Sequence, residues 1–365
     1  MRFLLFSDLH LDTAFKWAGP DVAASRRRAL RETLQRICQV ALDENVDALL
    51  CAGDLYENDM FSANTAEFLR LTFAEFGRPV YLAPGNHDWF GPKSLYGQVA
   101  WSSNVRLFQT PQLVPVEITS GLTLWGAAHA RSAGTPGFLD SFSVDRGGIN
   151  LALFHGSENA ELAGQESGKA PHAPFNAAQI PQTGLQHAFV GHYHAPKDGE
   201  WHTYPGNPDP LSFGETGERG AVLIDVGDDG SITRRRIDVH RSEVHDLEVD
   251  LTGISHTDQV RERVAQATAQ LHGVVRVTLF GEPAQDVDIR LRDLAGAAAH
   301  LEGLVPRLGS IATAYDLEAI SQEQTVRGRF VAEVQAAALE PDIERRVLLT
   351  GLRAFDGRID ELEVS

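Results

Sequence analysis

The chain has 365 residues, 43% hydrophobic and 22% charged, which at about 150 residues per domain points to two domains and excludes a collagenous, disordered or coiled-coil protein. Its formal charge is −18, with 19 basic against 28 acidic residues up to position 240 and 13 against 22 beyond it. No basic tail hides in the average, so a polyanionic partner would need bound cations, local arginines or another subunit to meet it.

The opening run Arg2 to Ser7 is apolar but short, and it leads into charged residues rather than a cleavage pattern, so the chain is expected to stay in the cytoplasm. No stretch nears the ~20 apolar residues that cross a bilayer. The run reads as a strand, as do Ala48 to Ala52, Val80 to Ala83, Ile149 to Phe154, Ala188 to Val190 and Ala221 to Val226. Each is largely apolar and rich in Val, Leu, Ile and Phe, the pattern of strands buried on both faces beneath helices. Between the first two, Leu30, Leu34, Ile37, Cys38 and Ala41 recur at helical spacing, giving a strand, helix, strand unit. Cys38 and Cys51 are the two cysteines, too few for a disulfide scaffold or a thiolate zinc site and in keeping with a reducing compartment.

Near Arg236 to Asp250 the pattern changes. A smaller α+β unit is expected next, with Val260, Val264, Ala267 and Leu271 on one helical face, Val274 to Phe280 as a strand, and further strands at Asp286 to Leu291 and Ser310 to Ile320. Two terminal helices are predicted, one near Val326 to Leu339 and one opening at Pro341, which suits a first turn, and closing near Gly357. The expected domains are 1–240, 241–325 and 326–365.

Five of the apolar strands end in polar fragments: Asp8-Leu9-His10, Gly53-Asp54, Gly85-Asn86-His87-Asp88, His155 and Gly191-His192-Tyr193-His194. Carboxylates, an amide and imidazoles without thiolates suit divalent ions such as manganese, iron or zinc. Residues i and i+2 of an extended segment point the same way, so Asp8 with His10, and His192 with His194, can each aim two donors at one point. Glycine beside a ligand lets the backbone turn sharply and come close to an ion. The carboxyl ends of strands are also where α/β sheets place their sites.

This series resembles the calcineurin-like metallophosphoesterases over about the first 200 residues. The resemblance implies an α/β, two-sheet αββα sandwich with a smaller C-terminal α+β cap and terminal helices. It also implies two divalent ions, manganese before iron, zinc or magnesium. One would be held by Asp8, His10, Asp54 and His194, the other by Asp54, Asn86, His155 and His192. A hydroxide activated by both ions would attack phosphorus. His87 would give a proton to the leaving oxygen, with Glu57 or Asp88 holding its imidazole.

The segment Tyr204 to Glu215, Tyr-Pro-Gly-Asn-Pro-Asp-Pro-Leu-Ser-Phe-Gly-Glu, is similar to a loop of SbcD-type and YhaO-like nucleases. Those proteins work as DNA repair subunits with an SbcC-type coiled-coil ATPase. The resemblance therefore implies a manganese-dependent DNA exonuclease and endonuclease, as a homodimer, with DNA and such an ATPase as partners and no membrane. Three departures stand out: Glu57 where many of these chains have histidine, Asn207 where serine is usual, and Pro210 where a basic residue is usual. The alternatives are a phosphodiesterase for nucleotides or other small phosphates, and an adaptor with a vestigial site.

Arg26, Arg27, Arg28 and Arg31 cluster on the first helix, either as a solvated face or as a clamp for a DNA backbone. Trp89, Phe90 and Trp101 are read as core or dimer contacts, or as residues that stack on a base or wedge a duplex end, and His129 as structural. The apolar positions Phe330, Val334, Ile343, Val347, Leu348 and Leu352 serve either a partner's helices or this chain's own cap.

Overall fold

The structure is a computed structural model that describes residues 1–133, 135–165, 171–284, 287–312 and 315–357. The chain divides into two compact units. The first comprises Met1–Asp246, His272–Val275 and Leu301–Gly303, and the second comprises Leu247–Leu271, Arg276–His300 and Leu304–Ser365.

The first unit holds β1 (Arg2–Phe6), β2 (Ala48–Cys51), β3 (Val80–Leu82), β4 (Val105–Leu107), β5 (Val114–Thr119), β6 (Leu122–Gly126), β7 (Ile149–His155), β8 (His187–Gly191), β9 (Lys197–Asp198), β10 (His202–Tyr204), β11 (Ala221–Val226) and β12 (Ile232–Ile237). They form two six-stranded sheets, ordered β12-β11-β1-β2-β3-β4 and β5-β6-β7-β8-β10-β9. β1, β2, β3 and β4 run parallel, as do β6, β7 and β8. Parallel neighbours need crossover connections, and the helix α1 (Pro20–Asp43) supplies the first of these.

Alternation along β1 assigns its two faces. Phe3 and Leu5 join Leu50, Leu122, Leu124, Leu151, Leu153 and Phe189 in one buried cluster, the layer where the sheets meet. Leu4 and Phe6 face the other way, onto Leu30, Leu34, Ile37, Cys38 and Ala41 of α1 and Leu69 and Phe73 of α2 (Ala63–Phe76). The outer face of the second sheet buries Trp125, Ala152, Phe154 and Val190 under Phe138, Phe175 and Ile180, so there loops and a short helix, Gln179–Gln182, stand in for long helices. Each wholly buried Leu or Phe contributes roughly 1.5–3 kcal/mol, and these clusters fix the strand ends from which the site is built. This is the α/β two-sheet architecture expected. Trp101 packs on Phe73 and Tyr96, and Phe90 lies against the core.

The second unit carries most of a three-stranded sheet, β13 (Val244–Asp250), β14 (Val274–Gly281) and β15 (Gly303–Ile311), in that order. Its helix Thr257–Thr268 buries Val260, Val264 and Thr268. Ala267 is exposed, because burial follows the i, i+4, i+8 line. Asp286 lies outside the described residues, and 287–290 is not a strand but leads into a 3-10 helix, Leu291–Ala298. The third strand comes earlier than Ser310 to Ile320, whose residues 313 and 314 lie outside the description and whose end enters a helix, Leu317–Ser321. Two further helices span Val326–Ala336 and Pro341–Phe355. Leu348 and Leu352 pack with Val331, Phe330 and Val334, while Ile343 and Val347 remain exposed. Among the described residues no helix is long and apolar enough to cross a membrane.

Candidate metal centre

The polar fragments meet at the carboxyl ends of β1, β2, β3, β7 and β8. Past β1 and β2 the backbones stay laced, with Asp8 N bonded to Gly53 O at 3.0 Å and His10 N to Asp54 O at 2.9 Å. Asp8, His10 and Asp54 take positive φ, 53°, 50° and 51°, and His192 takes 112°. Left-handed backbone costs a non-glycine residue about 1–2 kcal/mol, and here it turns each side chain inward. At Gly53, φ is 96° and a Cβ would lie 2.6 Å from His155 Nδ1. A Cβ on Gly85 would collide with the Asp54 carboxylate. Both positions require glycine.

Asp54 lies at the middle. Its Oδ2 is 3.6 Å from His10 Nε2 and 3.3 Å from His155 Nε2, and its Oδ1 accepts from His87 N at 2.8 Å. On one side Asp8, His10 and His194 gather; on the other, His155 and His192 gather with Asp54. Within each group the donor atoms lie within 4.8 Å of one another. Asn86 Oδ1 is 3.1 Å from His155 Nε2. Two atoms each ~2.1 Å from a common ion lie about 3–4 Å apart, so these spacings fit metal coordination.

The imidazoles support the same fit. His155 Nδ1 donates to Ala52 O at 2.8 Å, His194 Nδ1 to Glu215 Oε1 at 2.8 Å, and His10 Nδ1 to Glu57 Oε1 at 2.7 Å. Each ring thereby turns a lone pair on Nε2 inward, as metal-ligating histidines do. His10 Nε2 and His194 Nε2 face each other at 3.2 Å, two lone pairs that a cation between them would reconcile.

Glu57 reaches two rings, since its Oε2 also accepts from His87 Nδ1 at 2.9 Å. Burial pushes the Glu57 carboxyl up, but the hydrogen bonds from His10 and His87 outweigh it and hold the group at about 2. Burial likewise pushes His87 down, and the bond to Glu57 with the charges of Asp54 and Glu57 outweighs it, raising the ring to about 9. Asp88 does not hold His87. It is wholly buried and accepts from Asp54 N, Leu55 N, Gly85 N and Tyr96 Oη at 2.6–3.0 Å, tying the turn after β2 to the turn after β3. Burial first, then the Asp54 charge, raises it to about 6.

The arginine cluster also reads differently in three dimensions. The Arg26 side chain is 0% exposed and pairs with Asp209 at 2.9 Å, a partner that also accepts from Thr33 Oγ1. A DNA phosphate cannot reach it. Arg31 is engaged by Asn64, Thr65 and Asp12, whereas Arg27 is half-buried and Arg28 exposed. His129 is buried against His155 O, at 2.8 Å, and Thr135, as expected of a structural residue.

Glu215 was not singled out by the sequence. Besides His194, it accepts from Asn207 Nδ2 and Leu211 N, each at 2.6 Å, so it binds the 207–215 loop to a ligand-type histidine. Burial pushes its carboxyl up, but His194 and the loop donors outweigh it and hold it at about 2. Its position closing the quoted loop was the available signal. The centre opens into a cleft of about 550 Å³ lined also by Thr13, His172, Tyr193 and Ser212.

A family model described as calcineurin-like phosphoesterase matches residues 1–196, and the chain belongs to that family. Membership implies metal-dependent phosphoesterase activity. The chain is also similar to an uncharacterized metallophosphoesterase, YhaO, of Bacillus subtilis, 26% identical over 385 residues that cover 99% of this chain and 86% of the relative. It is similar to the DNA double-strand break repair protein Mre11 of Haloferax volcanii, 28% identical over 281 residues, 70% of this chain and 57% of the relative. The protein of the same name from Aeropyrum pernix is 25% identical over 278 residues, 68% of this chain and 64% of the relative. The chain thus spans about three fifths of the length of these two repair proteins.

Proposed function

We propose that this chain is a two-metal DNA phosphodiesterase, an exonuclease and endonuclease subunit that works with a coiled-coil ATPase of the SbcC type. The observation that carries the proposal is the convergence of Asp8, His10, Asp54, Asn86, His155, His192 and His194 on one open cleft. Asp54 would be shared by both ions, with Asp8, His10 and His194 on one side and Asn86, His155 and His192 on the other. When bound, the ions, manganese in this reading, supply Lewis-acid polarisation of the phosphoryl group and activation of water. His87, its side chain 47% exposed at the cleft, is the proton donor to the leaving oxygen. Glu57 orients it through Nδ1 and so leaves Nε2 for the transfer. The domains 1–240, 241–325 and 326–365 are assigned to nuclease, cap and partner binding.

DNA as substrate is supported by the two repair relatives and by Arg27 and Arg28 on α1. A second reading, a small phosphate diester as substrate, is favoured by the burial of Arg26 and the engagement of Arg31. End-labelled duplex and single-stranded DNA, cyclic nucleotides and a chromogenic diester, each with manganese and with a chelator, separate the two. The proposal expects manganese-dependent DNA cleavage that weakens steeply with salt. Cleavage of the small diesters with DNA left intact overturns it.

A further inference from the structure

His172 lies in the cleft wall beside His192, ring centroids 5.1 Å apart at 59°, yet among the described residues it belongs to none of the ligand groups. Its backbone is fixed against the chain that continues β7. His172 N donates to Ser157 Oγ at 2.9 Å, Ser157 N to His172 O at 2.7 Å, and Phe175 N to Ser157 O at 3.0 Å. The next residue, Ala173, is 0% exposed and takes φ 41°, a conformation that costs a non-glycine residue about 1–2 kcal/mol. Such strain persists only where the surroundings over-determine it, and it clusters at functional sites. A Cβ on Gly156 would come within 2.7 Å of Ala173 O, so the close approach of the two segments depends on that glycine.

Among the described residues the cleft lining contains no arginine or lysine. The described lining offers a bound phosphoryl group imidazoles, hydroxyls and an amide as hydrogen-bond partners. His10, His87, His192 and His194 each belong to a group of metal-ligand type, and Glu57 holds His87 through Nδ1 alone. We propose that His172 is a substrate-contacting residue whose ring N–H donates to a non-bridging oxygen of the phosphoryl group, on the His192 side of the centre. The proposal rests on the two-metal reading above and adds to it a specific phosphate contact that is not a metal ligand. It also accounts for the left-handed backbone of Ala173 beside the cleft, which coordination alone does not require.

The test compares wild type with His172→Ala and His172→Gln in the full chain. Manganese stoichiometry is measured by elemental analysis, inorganic phosphate binding to the manganese-loaded protein by calorimetry, and kcat and KM on a chromogenic diester. Both variants are expected to keep the wild-type melting profile and two ions. In His172→Ala, phosphate affinity falls about tenfold, the scale of one hydrogen bond to a charged group, and KM rises more than kcat falls. His172→Gln, which retains an N–H donor, should lie between. Unchanged phosphate affinity in both variants refutes the contact, and loss of one ion makes His172 a ligand and equally refutes it. If wild type itself binds no pair of ions, the failure belongs to the two-metal reading.

Discussion

Glu57→Gln tests the double role of one carboxylate. Glu57 accepts from His10 Nδ1 at 2.7 Å and from His87 Nδ1 at 2.9 Å, with its side chain 20% exposed. An amide offers one oxygen and an NH₂ group in its place, so it can satisfy one ring while presenting a donor to the other. A hydrogen bond to a charged group contributes roughly 1.5–3 kcal/mol, and with partial exposure the loss of one should cost about 2 kcal/mol, roughly thirtyfold. Where the loss falls depends on which ring keeps the oxygen. If His10 loses its partner, the manganese concentration needed for half-maximal activity rises. If His87 loses its partner, turnover falls more on a diester with a poor leaving group than on a nitrophenyl diester. Rates over a manganese titration with both substrates distinguish these outcomes. Wild-type manganese dependence together with wild-type turnover on both substrates would refute the bridging role.

Asp54→Asn and His192→Ala should abolish hydrolysis while preserving cooperative unfolding, and wild-type rates in either would remove the metal assignment. Ion binding should stabilise wild type by about 2.7 kcal/mol per site at 100 times Kd, so a chelator should lower its melting temperature but leave that of Asp54→Asn nearly unchanged. Arg26→Met should cost about 3–5 kcal/mol in urea unfolding by leaving Asp209 buried and unpaired, and Arg26→Met with Asp209→Leu should recover part of that; an undamaged single variant contradicts the buried pair. His187 is buried, with Nε2 2.9 Å from Thr203 Oγ1, and burial, then the Arg234 charge, lowers it to about 3. Since its folded value lies below the ordinary 6.5, its contribution is complete above pH 6.5 and lost as pH falls toward 3. Between pH 6.5 and pH 5 the loss is about 2 kcal/mol. His187→Gln should flatten that part of the stability profile, and an equally steep fall would show that another group titrates.

The strands β1, β2, β3, β7, β8 and β11 were legible because burial on both faces leaves a largely apolar run, which sequence alone displays. The ligand-type residues were legible for a related reason: each sits just where such a run stops. The helix α2 passed unnoticed although Ser62 accepts from Thr65 N at its start and Gly77, at φ 72°, closes it, the cap residues that mark such boundaries. Arg26 was misread because its partner Asp209 is 183 positions away, and a lone sequence shows the charge without the partner. Glu215 and His172 were missed for the same cause. Their places are set by where the loops fold back, and neither spacing nor periodicity encodes that.

The centre draws on both sheets at once. Asp8, His10, Asp54 and Asn86 follow strands of one, and His155 and His192 follow strands of the other. Cutting the polypeptide between β4 and β5 would therefore leave each fragment with part of the donor set and neither with all of it. Catalysis would return only when the fragments reassociated, with β1 paired again to β11 and the two sheets face to face, so recovered turnover would report correct reassembly of the sandwich.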